Sequence, residues 1–255
     1  YRFHEGRWQI ADSPAKPRNR AYEAGGASNL YQGEPLLIVY GTGGEYSDLL
    51  RAAAQKLSAY GGPVHTAMRL RFPVVADTAL TAEQQARCHL ILIGKPSENS
   101  ATKAHWPRLP ASIEDDALVV GDRKPLKLQN QVLGLLHPNP SHPDRLLYIL
   151  APFADKAGVD RFSKSAHLFL AGSDGFDRVS QPDLVVQDLQ YRIARHMQFG
   201  KDWQWLPLGG ADSPIPSRFN ERASFAVACL DLMLSKSEAD FGLWWGPADK
   251  GMWGA

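Results

Sequence analysis

The stretch Leu36–Leu50, LLIVYGTGGEYSDLL, joins five apolar residues to a glycine-rich corner and then to a helical pattern. A short apolar run bounded by chain breakers predicts a strand that is buried on both faces. After the corner, Leu50, Ala53 and Leu57 recur at helical spacing, and Ser47 is a suitable N-cap. The stretch therefore predicts a strand that leads through a tight turn into a helix.

The same alternation continues along the chain. Further apolar runs predict strands at Phe72–Asp77, His89–Gly94, Val132–Pro138, Arg145–Phe153, His167–Gly172 and Asp183–Leu189. Helical patterns lie between several of them, one with Thr81 and Gln84 in capping-box positions and one with Ser97 as N-cap. A short hairpin is predicted around VVGDRKPLKL. Alternating strands and helices predict an α/β fold with a mostly parallel sheet flanked by helices, Rossmann-like or flavodoxin-like.

The composition changes along the chain and predicts three parts. Residues 1–33 form an irregular lead-in with one early strand at Arg7–Ile10, and residues 34–190 form the α/β sandwich domain. Residues 191–255 form an aromatic-rich α+β extension or a partial second domain, with an amphipathic helix that carries Phe225 and Cys229 on one face. The chain opens at Tyr1, so we interpret it as a mature or trimmed piece.

The net charge, the lengths of the apolar stretches and the cysteine spacing argue against several classes of function. The net charge is +1 and the basic residues are scattered, so neither nucleic acid nor an acidic membrane is predicted as a partner. No apolar stretch is long enough to span a bilayer. The two cysteines, Cys88 and Cys229, have no metal-type spacing and are interpreted as small buried residues. We predict neither a metal nor a cofactor.

The glycine corner, GTGGEY (Gly41–Tyr46), partly matches the G-x-G-x-x-G pattern that brings a backbone close to a pyrophosphate. Tyr46 stands at the third glycine position, and the carboxylate of Glu45 would repel phosphate. We therefore interpret the corner as a turn. The alternative is a phosphate loop of Gly41, Gly43 and Gly44.

Ser97 and Asn99 would join that phosphate loop, because they follow the predicted strand His89–Gly94 and would lie at the carboxyl edge of the same sheet. Local helix capping explains the same two side chains. Asp77 ends the predicted strand Phe72–Asp77, which comes between the glycine corner and the strand His89–Gly94. Its carboxylate could bind a ribose, although it lies too far along the chain from the corner for the ribose-binding acid of a dinucleotide site.

A serine nucleophile is a second alternative. The sequence around Ser173 reads A-x-S-x-G, close to the G-x-S-x-G nucleophile elbow. Asp183 or Asp188 and then His196 would supply the acid and the base. The acid and base candidates come too soon after Ser173 for the strands and helices that usually separate the members of a triad, and no clear helix follows the serine. A loop between two strands is therefore the favoured interpretation.

Two other clusters have simpler explanations. HPNPSHPD (His137–Asp144) offers two imidazoles and a carboxylate, but three prolines favour a rigid loop over a metal site. Tryptophans near the end of the chain could stack on a base or a sugar, and a domain interface is the favoured interpretation. They are Trp203, Trp205, Trp244, Trp245 and Trp253.

Within Pro35–Leu189, the motifs PLLIVYGT, HLILIGKPSEN, LLHPNP, DRLLYIL and PDLVVQD resemble the α/β region near the C-terminus of large secreted bacterial proteins. Those proteins are described as esterases or peptidases and carry an α/β-hydrolase domain elsewhere in the chain. The resemblance implies a secreted or periplasmic accessory domain without catalytic residues of its own. Its partner would be a catalytic hydrolase domain in the same parent chain or complex.

The segment Leu206–Gly246 looks like the opening of the C-terminal domain of 5′-nucleotidases, with Ala239–Leu243 in the place of a family strand. WWGPAD stands where that family has an Asn-Gly-Gly-Ile-Arg segment, and the arginine is missing. We therefore expect a non-catalytic accessory domain of a hydrolase that acts on ester or phosphoester substrates. The alternatives are a nucleotide- or phosphoester-binding domain and a serine esterase that uses Ser173.

Overall fold

The computed structural model describes residues 2–4, 7–9, 26–31, 34–59, 71–121, 123–170, 182–197, 199 and 203. All of these lie in the first of two compact units, Tyr1–Pro207, and the second unit is Leu208–Ala255. The predicted amphipathic helix with Cys229, and the tryptophans from Trp205 onward, fall outside the described residues. The predicted three-part division of the chain stays a prediction.

The described strands are β1 (Arg2–His4), β2 (Arg7–Gln9), β3 (Leu36–Tyr40), β4 (Val74–Ala76), β5 (His89–Ile93), β6 (Ser112–Glu114), β7 (Ala117–Val119), β8 (Leu126–Lys127), β9 (Gln131–Asn139), β10 (His142–Phe153), β11 (Leu184–Asp188) and β12 (Ile193–Met197). The described α-helices are α1 (Ser47–Ser58), α2 (Ala82–Arg87), α3 (Ser100–His105) and α4 (Lys156–Ser165). Short 3₁₀ turns lie at Gly26–Tyr31, Asp77–Ala79, Trp106–Arg108 and Ala166–Phe169.

A seven-stranded sheet with the order β12-β11-β9-β10-β5-β3-β4 organises the described chain. One half is parallel: β3 pairs with β4 and β5, and β5 pairs with β10. The central strands of this half read as continuous apolar runs because they are buried, and β5 is buried along its whole length. Helix α1 covers β3 with Leu50, Ala53 and Leu57, as the helical spacing predicted, and it also packs against α4.

The α/β class is confirmed, and the prediction of a mostly parallel sheet is wrong. Strands β9, β11 and β12 are antiparallel to their neighbours. The physical reason lies in the connections. Only Pro140 and Ser141 separate β9 from β10, and four residues separate β11 from β12, whereas a parallel crossover needs a dozen residues or more. Both pairs must therefore be hairpins.

Two smaller sheets accompany the large one. Strands β1 and β2 pair with each other, and β6, β7 and β8 form a three-stranded antiparallel sheet. The pairing of β7 with β8 is the hairpin predicted around VVGDRKPLKL. The strand predicted at His167–Gly172 is wrong where the chain is described, because Ala166–Phe169 is a 3₁₀ turn. That turn extends α4 and buries Ala166 and Phe169 together, since positions i and i+3 of such a turn share one side.

The helix caps were partly predictable. Thr81 and Gln84 form the expected capping box at the start of α2. Asn99, and not Ser97, caps α3, because its side-chain oxygen accepts from the backbone N–H groups of Ala101 and Thr102. Tyr46 stands at the N-cap of α1 without a side-chain bond, so Ser47 is the first residue of that helix. None of the helices in the described part of the chain has the length and apolarity that a bilayer crossing requires.

Candidate functional site at the carboxyl edge of the parallel strands

The order in which strands are added to the sheet reverses between the parallel neighbours β3 and β5. After β3 the chain continues through α1 to β4 on one side, and the strand that joins β5 on the other side is β10. In open α/β sheets such a switch point leaves a crevice outside the carboxyl ends of the strands, where ligands bind. The two loops that border this crevice are Gly41–Tyr46, after β3, and Gly94–Asn99, after β5. They include the predicted phosphate-loop residues Gly41, Gly43, Gly44, Ser97 and Asn99.

The crevice is closed by the second loop. The backbone N–H of Gly43 donates to the carbonyl oxygen of Glu98 at 2.8 Å, and the N–H of Gly41 donates to Ile93 at 2.9 Å. A Cβ at Gly41 would overlap the carbonyl oxygen of Glu98 and lie 2.8 Å from its carbonyl carbon. Glycine is therefore required at position 41 because the Glu98 peptide rests directly on it.

The closing loop begins at Gly94, whose φ of +114° lies in a region that residues with a Cβ rarely adopt. This turn brings Glu98 back over the corner, and its side chain lies against Gly44 with only 6% of the residue exposed. One carboxylate oxygen of Glu98 lies 3.4 Å from Nζ of Lys95, and the other accepts from the backbone N–H of Lys95 at 3.3 Å. A carboxylate of the chain itself thus lies against the glycine corner.

Asp77 fixes the other side of the corner. Its carboxylate accepts from the backbone N–H and the hydroxyl of Thr42, at 3.0 and 2.7 Å, and from the N–H of Ser100 at 2.6 Å. Burial by itself would raise the pKa of Asp77, but the hydrogen bonds from Thr42 and Ser100 outweigh it and lower the pKa. Asp77 therefore ties the loop after β3 to the start of α3, and both its oxygens are occupied.

Asn99 is likewise an internal connector. It is fully buried, and its amide nitrogen donates to the carbonyl oxygens of Val39 and Ile93, at 3.3 and 3.0 Å. Its oxygen caps α3. The side chain joins β3, β5 and α3 and has no hydrogen-bonding capacity left for a ligand, while its predicted partner Ser97 is exposed.

The rim of the closed crevice is acidic. Partial desolvation, and then the nearby carboxylates of Glu45, Asp155 and Glu98, raise the pKa of the Tyr46 phenol. The same carboxylates would repel a phosphate group. The corner amides of Gly41, Thr42 and Gly43 already donate to the protein, so the arrangement disfavours an anion on both counts.

An open cavity lies one strand further along the same edge. It has a volume of about 590 Å³ and combines the end of β10, the loop after β5, strand β8 and two turns of the chain. Its lining consists of Lys95, Asp115, Asp116, Lys127, Gln129, Asn130, Phe153, Ala154 and Asp155. No sequence motif predicted this cavity. The available signal was Asp115-Asp116 between two short apolar segments, since Asp favours the positive φ of a two-residue hairpin turn, here 45° and 57°.

The acid and base of the predicted triad lie in the antiparallel half of the sheet. Asp183 is fully buried, and its two carboxylate oxygens accept from the backbone N–H groups of Gly26 and Phe199, at 3.1 and 2.8 Å. His196, on β12, pairs in register with Val185, and burial lowers its pKa. Ser173 lies outside the described residues, so the triad stays a prediction.

The HPNPSHPD motif forms the hairpin between β9 and β10. His137 lies on β9 with its ring edge-on to Phe199 and Trp203, 5.6 and 5.9 Å between centroids, and burial lowers its pKa. His142 lies on β10 opposite Asn139. Within the described ranges, no group of three or more His, Cys, Asp or Glu side chains could hold a metal ion. The contacts that the structure shows for this motif are those of a hairpin and of aromatic packing.

Comparison of the chain with protein-family models, with curated proteins and with solved structures finds no match.

Proposed function

We propose that this chain is a non-catalytic α/β accessory domain of a larger secreted or periplasmic bacterial hydrolase that acts on ester or phosphoester substrates. The observation that carries the proposal is the closed crevice at the switch point. The position where an α/β enzyme of this topology binds its ligand is filled here by Glu98, and the side chains of Asp77 and Asn99 beside it are bonded within the protein. The resemblance of Pro35–Leu189 to such accessory regions supports the same role.

In this proposal the partner is a catalytic hydrolase domain of the same parent chain or complex. The accessory domain would pack on that domain or extend its substrate cleft. Its removal from the parent should lower kcat/KM on a polymeric ester and leave hydrolysis of p-nitrophenyl acetate unchanged, because only the large substrate reaches beyond the catalytic centre. Equal losses on both substrates would contradict the accessory role.

A direct assay separates this role from the serine esterase. The 255-residue chain and its Ser173→Ala variant should hydrolyse p-nitrophenyl acetate and p-nitrophenyl phosphate at the same background rate. A rate on the acetate ester that disappears in Ser173→Ala would establish the esterase and overturn the proposal. The Asp183→Asn variant is not a useful control, because both oxygens of Asp183 bind backbone amides.

The nucleotide-binding alternative is tested by ligand-induced stabilisation. A ligand that binds only the native state raises the melting temperature, and a concentration of about 100 times Kd stabilises by about 2.7 kcal/mol. We expect no shift with AMP, because the corner amides and the acidic rim disfavour a phosphate, and none with adenosine, because Glu98 fills the crevice. A concentration-dependent rise in melting temperature with AMP would favour the alternative.

A further inference from the structure

The 590 Å³ cavity beside the closed crevice is within the size range of small-molecule sites. Four parts of the chain build it: Lys95 in the loop after β5, the turn Asp115-Asp116 between β6 and β7, the segment Lys127–Asn130, and the end of β10 at Phe153–Asp155. The backbone N–H of Asn130 donates to the carbonyl oxygen of Phe153 at 2.7 Å, which joins two of these parts. The walls therefore belong to one folded framework.

Both lysines of the lining bond to groups of the protein. Lys95 lies 3.4 Å from the carboxylate of Glu98, and Nζ of Lys127 donates to the backbone carbonyl of Asp115 at 2.8 Å. One carboxylate oxygen of Asp155 accepts from the N–H of Gly158 at the start of α4. The ammonium group of Lys95 is thus paired with a carboxylate, and the lining as a whole carries three aspartates against two lysines.

The side chains of Asp115, Asp116, Gln129 and Asn130 are exposed and make no side-chain hydrogen bond within the described part of the chain. The two amides offer both donors and acceptors, and the two carboxylates offer acceptors. A hydroxyl group is itself a donor and an acceptor, so several hydroxyls on one ligand can match this mixed set. The half-buried ring of Phe153 and the methyl group of Ala154 add an apolar wall.

Other ligand classes fit this lining less well. A phosphate or a carboxylate would face three aspartates. A polyamine cation offers donors and no acceptors, so the amide N–H groups of Gln129 and Asn130 would find no partner on it. An apolar molecule would leave the carboxylates and amides unpaired. We propose that this cavity binds a neutral polyhydroxylated ligand, a saccharide, through Asp115, Asp116, Gln129 and Asn130 beside Phe153. The assignment rests on the cavity alone and goes beyond the accessory role, so enzyme assays and saccharide titrations test the two separately.

The test is a ¹H–¹⁵N NMR titration of the full chain with glucose, galactose, N-acetylglucosamine, cellobiose, maltose and xylobiose, and separately with AMP and spermidine. We expect at least one saccharide to shift the amide signals of residues 115–116, 127–130 and 153–155, with a Kd on the order of 1 mM. Gln129→Ala should weaken that binding by about threefold to tenfold, which corresponds to the loss of one hydrogen bond.

Asp116→Asn provides a second variant, because Asn also tolerates the positive φ at this turn position and the change removes only the charge and one acceptor. Gln85→Ala, on α2 and outside the lining, is the matched control and should leave Kd unchanged. Saccharide titrations without any shift, shifts outside the cavity, or a Kd that neither variant changes would overturn the proposal. Binding of AMP or spermidine in the cavity with no saccharide response would overturn it as well.

Discussion

The closed crevice and the open cavity lie on the same edge of the sheet, one strand apart, and they differ in where their polar groups are satisfied. In the crevice, the side chains of Asp77 and Asn99 and the corner amides all bond to groups of the protein. In the cavity, Gln129, Asn130 and the two turn aspartates face solvent. Buried polar groups must find partners inside the protein, whereas exposed ones remain available to a ligand.

This difference shows that a glycine-rich motif in the sequence predicts only the shape of the backbone and does not by itself predict a bound ligand. Glycines let a phosphate approach a backbone, and they equally let another loop approach it. In this protein Gly41 and Gly44 accommodate Glu98. Whether such a corner binds a ligand depends on what the fold places against it, and the following substitutions test that relation from the largest expected effect to the smallest.

Gly41→Ala should destabilise the protein by about 3 kcal/mol or more, at the upper end of overpacking effects. The new methyl group would overlap the Glu98 peptide, and a backbone group cannot move aside as a side chain can. Urea unfolding measures the change in the free energy of unfolding. Gly43→Ala is the matched control, because its Cβ would lie 3.2 Å from the carbonyl oxygen of Glu98 and a small shift relieves the contact. Equal losses in both variants would mean that the crevice is not closed at Gly41.

Asp77→Ala should cost about 2 kcal/mol, because it leaves part-buried donors of Thr42 and Ser100 without their acceptor. Asp116→Ala, on the exposed turn of the cavity, should lower the free energy of unfolding much less. Urea unfolding of both variants at neutral pH checks the difference. Similar losses in the two variants would contradict our inference that Asp77 is bonded within the protein while Asp116 is available to a ligand.

Asp77 should also contribute a pH dependence. Its pKa in the folded protein lies below the ordinary carboxyl value of 3.8, so the unfolded chain binds its proton first as the pH falls. The stabilisation is complete above pH 3.8 and is lost as the pH decreases through the lower folded pKa. The free energy of unfolding of Asp77→Asn should therefore depend less steeply on pH below this value than that of the unchanged protein. If the free energy of unfolding depends on pH equally steeply in the unchanged protein and in Asp77→Asn, this role of Asp77 is refuted.

Glu98→Ala should cost about 1 kcal/mol, since it removes a partly exposed ion pair and one hydrogen bond to Lys95. It should not create an AMP site, because the carbonyl oxygen of residue 98 still binds the N–H of Gly43 and Asp77 still binds Thr42. Thermal unfolding with and without AMP measures both effects. Stabilisation of this variant by AMP would show that the side chain of Glu98, and not the backbone, closes the crevice.

Gln129→Ala should change stability by no more than about 0.5 kcal/mol, as is usual for an exposed side chain without partners. The same urea unfolding experiment provides the measurement. A loss comparable to that of Asp77→Ala would mean that the amide of Gln129 is part of the framework and unavailable to a ligand.

The sequence predicted the elements of the fold well where local signals are strong. The apolar runs of β3 and β5, the helical spacing of α1 and the capping box at Thr81 all depend on neighbouring residues, and the structure confirms them. The antiparallel pairing of β9 with β10 was also open to prediction, since a two-residue connection excludes a parallel crossover. The parallel assignment was wrong because it gave weight to the alternation of elements and none to the length of the loops.

The candidate site depended on contacts between distant residues. Asn99 bonds to Val39 across 60 positions, and Asp77 bonds to Ser100 across 23. The cavity likewise combines Lys95, the Asp115-Asp116 turn and Phe153, which no local pattern relates to one another. By itself the sequence determined the α/β elements and most of their boundaries, because periodicity, breakers and caps act over a few residues. Only the tertiary structure decided which loop fills the crevice and where a cavity remains, because those outcomes depend on side chains that folding alone brings within contact distance.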